Sequence, residues 1–197
     1  MTILSRSPDL QQSHRLRLNT LIRLRWLAII GQSLTVLAVA YGLGFPLPVG
    51  PCFALIACSA WMNLFLAFRY PAAHRLTPWA AMGILVFDSL QLSGLLFMTG
   101  GLTNPFSLLL TVPVVISATS LPLVLTALLG VMVMAAASLL VFFHLPLPWY
   151  EGNELVMPFI YVGGIWMAVL SSIATSGVSR VRRAKDARLP RDAVAPS

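Results

Sequence analysis

A short polar stretch interrupts one of the most apolar parts of this chain: Thr99–Leu110 reads TGGLTNPFSLLL. Glycines let a ligand approach the backbone closely, and a helix that begins near Pro105 offers N–H groups and the positive end of its dipole. The Asn104 amide could add another donor if capping does not use it fully, and Phe106 offers a flat face for stacking. These groups suit a ligand that carries carbonyl oxygens on a ring and an apolar tail. A membrane quinone is such a ligand.

The same stretch also has a purely structural interpretation, which the sequence leaves open. Glycine commonly ends helices in a left-handed backbone conformation, so Gly100 and Gly101 predict the end of one helix. Thr103 or Asn104 can cap the next helix, with Pro105 in its first turn. Under this interpretation the segment is a tight, well-capped turn that binds nothing.

Polar residues inside apolar segments form a second group of candidates. Asp88 lies near the middle of one segment, where a carboxylate is costly and usually functional, and Gln91 shares its helix face. Asn63 and Gln32 lie at similar depth in two other segments, so the four residues predict a polar layer that joins three helices. Asp88 is interpreted either as a protonated hydrogen-bonding group or as a proton partner in signalling. About 18 Å of helix separates it from the glycine turn, so contact with the same ligand is not expected.

Membrane helices must position these residues. The chain of 197 residues is 58% hydrophobic and 10% charged, and no charged residue occurs between Asp88 and Glu151. One span needs about 20 mostly apolar residues. The pattern predicts an all-α polytopic membrane protein with six spans and a break between the fourth and fifth at Ser117–Pro122. The predicted spans are residues 26–44, 51–68, 79–98, 105–119, 121–143 and 155–176.

The 13 basic residues predict the orientation of the spans. They occur before the first span, where Arg25 is among them, between the second and third, and after the sixth. Because cytoplasmic flanks collect Lys and Arg, six spans place every basic residue and both termini in the cytoplasm. We interpret these residues as setting topology and contacting anionic lipids, with no role in nucleic-acid binding. Residues 1–14 are expected to form a disordered tail and residues 179–197 a basic cytoplasmic tail with a shortened signalling helix.

The glycine turn resembles the hallmark of a known family. In the RegB/PrrB/ActS-type redox-sensing histidine kinases, a Gly-Gly-x-x-Asn-Pro-Phe heptapeptide lies between the third and fourth of six membrane helices. Residues 100–106 of this chain match every fixed position. The resemblance extends to Thr20–Gln32, Phe87–Gly101 and Thr111–Ala118, and it covers about residues 15–185.

The resemblance implies a sensor domain in the bacterial inner membrane that binds ubiquinone, or another membrane quinone, and regulates a kinase according to the redox state of that quinone. It also implies a homodimer, with kinase and response-regulator partners where a kinase portion is supplied. The heptapeptide supplies the candidate quinone-binding residues, which are Gly100, Gly101, Leu102, Thr103, Asn104, Pro105 and Phe106.

The sequence shows no phosphoacceptor-histidine pattern and no ATP-binding motif, so we expect a sensor portion without its kinase. Accordingly, no catalytic residue, metal site or enzyme activity of its own is predicted. Two other functions stay open. A small transporter would need a polar pathway, and a passive membrane anchor or assembly protein would need no ligand.

Overall fold

The computed structural model of the protein describes residues 18–42, 44–71, 76–145 and 156–186. Within these ranges the chain is helical apart from short connections, which confirms the predicted all-α class. The predicted tail of residues 1–14, the loop that holds Glu151 and Glu154, and the end of the predicted basic tail lie outside the described residues.

Six apolar helical elements follow one another along the described chain. They are α1 (Leu18–Leu37, continued by a π-helix at Ala38–Gly42), α2 (Val49–Arg69), α3 (Pro78–Met98), α4 (Pro105–Ser120), α5 (Leu123–Phe142) and α6 (Val156–Asp186). Five of the elements are long and apolar enough to cross a membrane, and α4 is shorter. The predicted segments are therefore confirmed as helices, although α1 begins earlier than predicted and α6 continues ten residues beyond position 176.

The geometry of α4 compensates for its small number of residues. Its first seven residues, Pro105–Thr111, form a 3-10 helix, and the next nine, Val112–Ser120, form an α-helix. Because a 3-10 helix rises about 2.0 Å per residue and an α-helix about 1.5 Å, α4 is about 27 Å long. That length approaches the roughly 30 Å of a bilayer's hydrocarbon core. The predicted break is confirmed, since α4 ends at Ser120 and Pro122 precedes α5.

The buried core is centred on α3 and α5, and α1 makes few contacts with α3. About 44% of the apolar window of α3 and of α5 is buried, against 17% in α1 and α6. α1 packs closely on α2 and only sparsely on α3. Two polar pairs join α1 to α3, Arg25 with Asp88 and Gln32 with Gln91, and their order shows that the two helices run in the same direction. Sparse packing leaves room for a cavity between α1 and α3.

Candidate functional site

The turn between α3 and α4 has the backbone that its sequence predicts. Gly100, at φ 98°, and Gly101, at φ 59°, are both left-handed. Asn104 caps α4 because its Oδ1 accepts a hydrogen bond of 3.0 Å from the Phe106 N–H, and Pro105 occupies the first helical position. Thr103, the other predicted cap, instead donates its hydroxyl to the Gly100 carbonyl at 2.6 Å. The structural role of this turn is therefore confirmed.

The turn itself uses most of the donors that its sequence offers to a ligand. Asn104 Nδ2 donates to the carbonyl and to the hydroxyl of Thr99, at 3.2 and 2.9 Å, which occupies both of its hydrogens. The Phe106 N–H is bound by the Asn104 side chain, and the Ser107 N–H donates to the Asn104 carbonyl at 2.9 Å. The prediction of free N–H donors in the first turn of α4 is wrong, because Asn104 accepts from both of these N–H groups. Thr99 uses both hydrogens of the Asn104 amide, so the amide is not spare.

Asn104→Ala should destabilise the protein by about 1–3 kcal/mol, since it removes a helix cap and two hydrogen bonds to Thr99. Asn104→Ser keeps a capping oxygen and adds no charge while it loses the donors to Thr99, so its loss should be smaller. Thermal unfolding in detergent, followed by circular dichroism, measures both. An Asn104→Ala protein that melts at the wild-type temperature would contradict the capping role.

Gly101 is packed against the end of α5. A Cβ at this position would lie 2.7 Å from His144 Cγ and 2.9 Å from the Leu140 carbonyl oxygen. Its neighbour Leu102 is 1% exposed, and Gly100 is also buried. Gly101 therefore packs the turn against the end of α5, and none of these three heptapeptide residues lines the cavity described next.

A cavity of about 440 Å³ lies between α1, α3 and the start of α4. Four heptapeptide residues, Thr103–Phe106, line one side of it. Its volume lies within the range of about 300–1,000 Å³ that is common for small-molecule sites. The remaining wall is mostly apolar and consists of Ala28, Gly31, Gln32, Thr35, Val36, Val39, Phe45, Leu47, Leu92, Leu95, Leu96, Thr99 and Leu109. The size and lining suit a ring with an apolar tail.

Helix geometry is irregular on two sides of this cavity. The π-helix at Ala38–Gly42 places Val39 on the wall, and the 3-10 helix of α4 places Pro105, Phe106 and Leu109 there. π-Helical segments occur frequently at functional sites, and 3-10 runs longer than about four residues are uncommon and often mark hinges. Two departures from α-helical geometry at one cavity favour a functional role for it.

Gln32 connects the cavity with the polar residues inside the helices. Its side-chain amide and that of Gln91 exchange two hydrogen bonds, of 3.1 and 3.5 Å. Gln32 lies on the cavity wall, whereas Gln91 is 7% exposed and does not line the cavity. Gln32, one residue of the predicted polar layer, and the heptapeptide, which the sequence treats as separate features, therefore meet at one cavity.

Asp88 has a partner that the sequence interpretation missed. Its Oδ1 lies 3.1 Å from Nη2 of Arg25, a residue that is only 5% exposed. Arg25 also donates to the Ser59 hydroxyl at 3.4 Å and lies 5.5 Å from the centroid of the Phe87 ring. A guanidinium stays charged in proteins, so Asp88 faces a positive charge and not only neutral hydrogen-bonding groups. Arg25 lies two helical turns before Gln32, on the same face, and that spacing was the available signal.

Asn63 lies beside Arg25 and not beside the glutamine pair. Its Nδ2 donates to the Ile22 carbonyl at 3.1 Å, and its Oδ1 has no hydrogen-bond partner among the described residues. The four predicted polar residues do contact one another's helices, α1 to α3, but they do not form one layer. The polar residues occupy two levels: the glutamine pair at the cavity, and the Arg25 ion pair with Asn63 about 10 Å away along α1.

The end of α4 that is remote from the cavity contacts α6. The carbonyl of Leu121, which follows the last residue of α4, accepts a hydrogen bond from Nη2 of Arg180. Nε of Arg180 also donates to the Ser176 hydroxyl at 3.3 Å. A cation commonly satisfies the last carbonyls of a helix in this way. α4 thus forms a continuous structural connection between the cavity and α6.

Comparison with known proteins gives relatives for nearly the whole chain. A RegB sensor histidine kinase from Cereibacter sphaeroides is 40% identical over 178 residues, which are 90% of this chain and 38% of that protein. This chain is homologous to RegB. A RegB sensor histidine kinase from strain ATCC 17023 of the same species is 41% identical over the same length. The resemblance to the RegB-type kinases is confirmed, and the chain spans about two fifths of the length of these relatives. No protein-family model and no solved structure matches the chain.

Proposed function

We propose that this chain is the quinone-sensing membrane input domain of a sensor histidine kinase and that the quinone binds in the cavity beside α1. The observation that carries the proposal is the position of Thr103–Phe106 on the wall of an apolar cavity of about 440 Å³. The homology to RegB sensor histidine kinases supports the sensor role. Ubiquinone or another membrane quinone is the proposed ligand, and regulation of a kinase portion is the proposed output.

The cavity fits the chemistry of a quinone. Phe106, which is 43% exposed, offers a ring face for stacking, and the leucines and valines of α1 and α3 suit an isoprenoid tail. Oxidised quinone presents carbonyl acceptors, whereas the reduced form presents hydroxyl groups that also donate. A redox signal requires the two forms to favour different helix arrangements by about 1–3 kcal/mol.

The proposed signal travels along α4 to α6. Conversion of the seven-residue segment Pro105–Thr111 from 3-10 to α-helix would shorten it by about 3.5 Å. Leu121 and Arg180 would transmit such a movement to α6, which the structure describes as far as Asp186. The signal would then leave through residues 179–189 towards the kinase portion.

We further propose a location in the bacterial inner membrane, with both termini cytoplasmic and the heptapeptide at the outer edge. This orientation requires basic residues at the helix ends that are remote from the heptapeptide. Arg69 lies there at the end of α2, and Arg180 lies there beside the turn between α4 and α5. Anionic lipids, a second copy of the chain in a homodimer and, with a kinase portion, a response regulator are the proposed partners.

Substitutions at two other glycines, Gly31 and Gly83, test the proposed site. Gly31 lines the cavity, and a Cβ there would meet nothing within 4 Å, so Gly31→Phe should introduce a ring at the cavity wall from an open position. Titration calorimetry with short-chain ubiquinone in lipid nanodiscs should show saturable binding to the wild type. Gly31→Phe should weaken that binding by at least about tenfold, which corresponds to 1.4 kcal/mol.

Gly83→Phe is the matched control, because Gly83 is equally open and lies on α3 outside the cavity wall. It should bind quinone like the wild type. Equal weakening in both variants would show that the cavity is not the site. No saturable binding to the wild type would contradict the quinone-sensing function itself and favour a passive membrane anchor.

A further inference from the structure

The polar groups on the cavity wall differ in how much hydrogen-bonding capacity they have left. The hydroxyls of Thr99 and Thr103 both donate to backbone carbonyls, at 2.8 and 2.6 Å. Both hydrogens of the Asn104 amide nitrogen are used by Thr99. On the heptapeptide side, the cavity therefore offers acceptors but no spare side-chain donor to a carbonyl oxygen.

The α1 side of the cavity is different. Thr35 lies on the wall, and within the part of the chain that the structure describes its hydroxyl has no hydrogen-bond partner. Gln32 donates one N–H to Gln91 and accepts one hydrogen bond from it, which leaves the second N–H and one oxygen lone pair of Gln32 unused. The two residues are three positions apart and share a helix face. α1 thus presents two unused donors to the cavity.

We infer that Gln32 and Thr35 are the residues that hydrogen-bond the polar head group of the quinone, while the heptapeptide supplies the apolar edge of the site. This inference rests on the proposed function and deepens it. Thr35 donates its hydroxyl to one oxygen of the ring, and Gln32 contacts the ring through its side-chain amide. The specificity of the site for a quinone over a hydrocarbon chain then resides on α1.

The glutamine pair gives this site a means to bind both redox forms. If both side-chain amide groups turn by half a rotation, the two hydrogen bonds between Gln32 and Gln91 are kept. The unused N–H and the unused oxygen lone pair of Gln32 then exchange places at the cavity. A quinone carbonyl requires the N–H, whereas a hydroquinone hydroxyl can donate to the oxygen. Because Gln91 turns together with Gln32, the redox state of the ligand also sets the orientation of a side chain on α3.

Two variants and one control test the inference in the intact chain. Thr35→Val removes only the hydroxyl, and Gln32→Leu combined with Gln91→Leu removes the amide pair without leaving a buried partner unsatisfied. Thr175→Val is the matched control on α6, where the residue is exposed and outside the cavity wall. The probes are short-chain ubiquinone and ubiquinol in nanodiscs, together with the infrared carbonyl stretch of bound carbonyl-labelled ubiquinone.

Each test variant should weaken binding of both forms by about three- to tenfold, the size of one hydrogen bond. The carbonyl stretch should shift towards the value of a carbonyl without a hydrogen bond, and Thr175→Val should match the wild type in both respects. Wild-type affinities and carbonyl frequencies in the test variants would overturn the inference while the proposed quinone binding stands. A loss in Thr175→Val as large as that in Thr35→Val would overturn it as well. Failure of the wild type to bind would remove the proposed function and the inference together.

Discussion

Asp88→Asn is expected to destabilise the protein by about 3–5 kcal/mol, because it leaves a buried guanidinium without its counter-charge. Arg25 is 5% exposed, and Asp88 Oδ1 lies 3.1 Å from its Nη2. Nε and Nη1 of Arg25 have no hydrogen-bond partner among the described residues, so little else compensates the charge. Asn has nearly the same size as Asp and keeps one acceptor oxygen, so the variant mainly removes the negative charge.

Arg25→Met should cost less, about 1–3 kcal/mol, because a carboxylate left alone can take up a proton, whereas a guanidinium cannot lose one. The double variant Arg25→Met/Asp88→Asn should resemble Arg25→Met, since the uncompensated charge is then absent. Unfolding in detergent gives the free-energy change for each member of the cycle. Additive losses, or a wild-type melting temperature for Asp88→Asn, would show that the two side chains are not coupled.

The same variants separate structure from signalling at Asp88. The role of this residue as a proton partner is still a prediction. If the ion pair only holds α1 against α3, Asp88→Asn should lower stability and leave the effect of quinone on α6 unchanged. Hydrogen exchange of the α6 amides near Arg180, with and without ubiquinone, measures that effect. A stable variant that loses the quinone-dependent change in exchange would favour a signalling role.

Features that depend on neighbouring residues were predictable from the sequence. The helical segments follow from hydropathy, and the turn follows from the left-handed preference of glycine and the capping ability of asparagine. Gly100, Gly101 and Asn104 accordingly adopt the predicted conformations and roles. The resemblance located the heptapeptide, but it did not separate the residues that line the cavity from those that anchor the turn to α5.

Features that depend on how helices are rotated against one another were not predictable. Gln32 and Gln91 are 59 positions apart, and only the rotation of α1 and α3 about their axes decides that they meet. Arg25 had a sufficient explanation in membrane topology, so its position on the face of Gln32 was not read as a sign of an ion pair with Asp88. The 3-10 start of α4 is also invisible to hydropathy, yet it helps form the cavity and lengthens a helix that would otherwise be short.

Gly101→Ala is the second variant with a large expected effect, a loss of about 2–5 kcal/mol. A left-handed backbone costs a non-glycine residue about 1–2 kcal/mol, and overpacking typically adds about 1–3 kcal/mol. Here the overpacking is specific, since the new methyl group would lie 2.7 Å from His144 Cγ and 2.9 Å from the Leu140 carbonyl oxygen. His144 Nδ1 lies 2.9 Å from that same carbonyl oxygen, so the side chain and the backbone would have to move together.

Two comparisons show whether Gly101 acts through folding or through close approach of a ligand. Gly83→Ala, at an open helical position, should stabilise the protein by about 0.5–1 kcal/mol, opposite in sign to Gly101→Ala. At a temperature where Gly101→Ala is still folded, its quinone affinity should equal that of the wild type, because Gly101 does not line the cavity. Unchanged stability with weakened quinone binding would instead mean that the glycine lies against the ligand. Lowered stability with unchanged affinity means that Gly101 packs the turn against α5, while Thr103–Phe106 form its ligand-facing part.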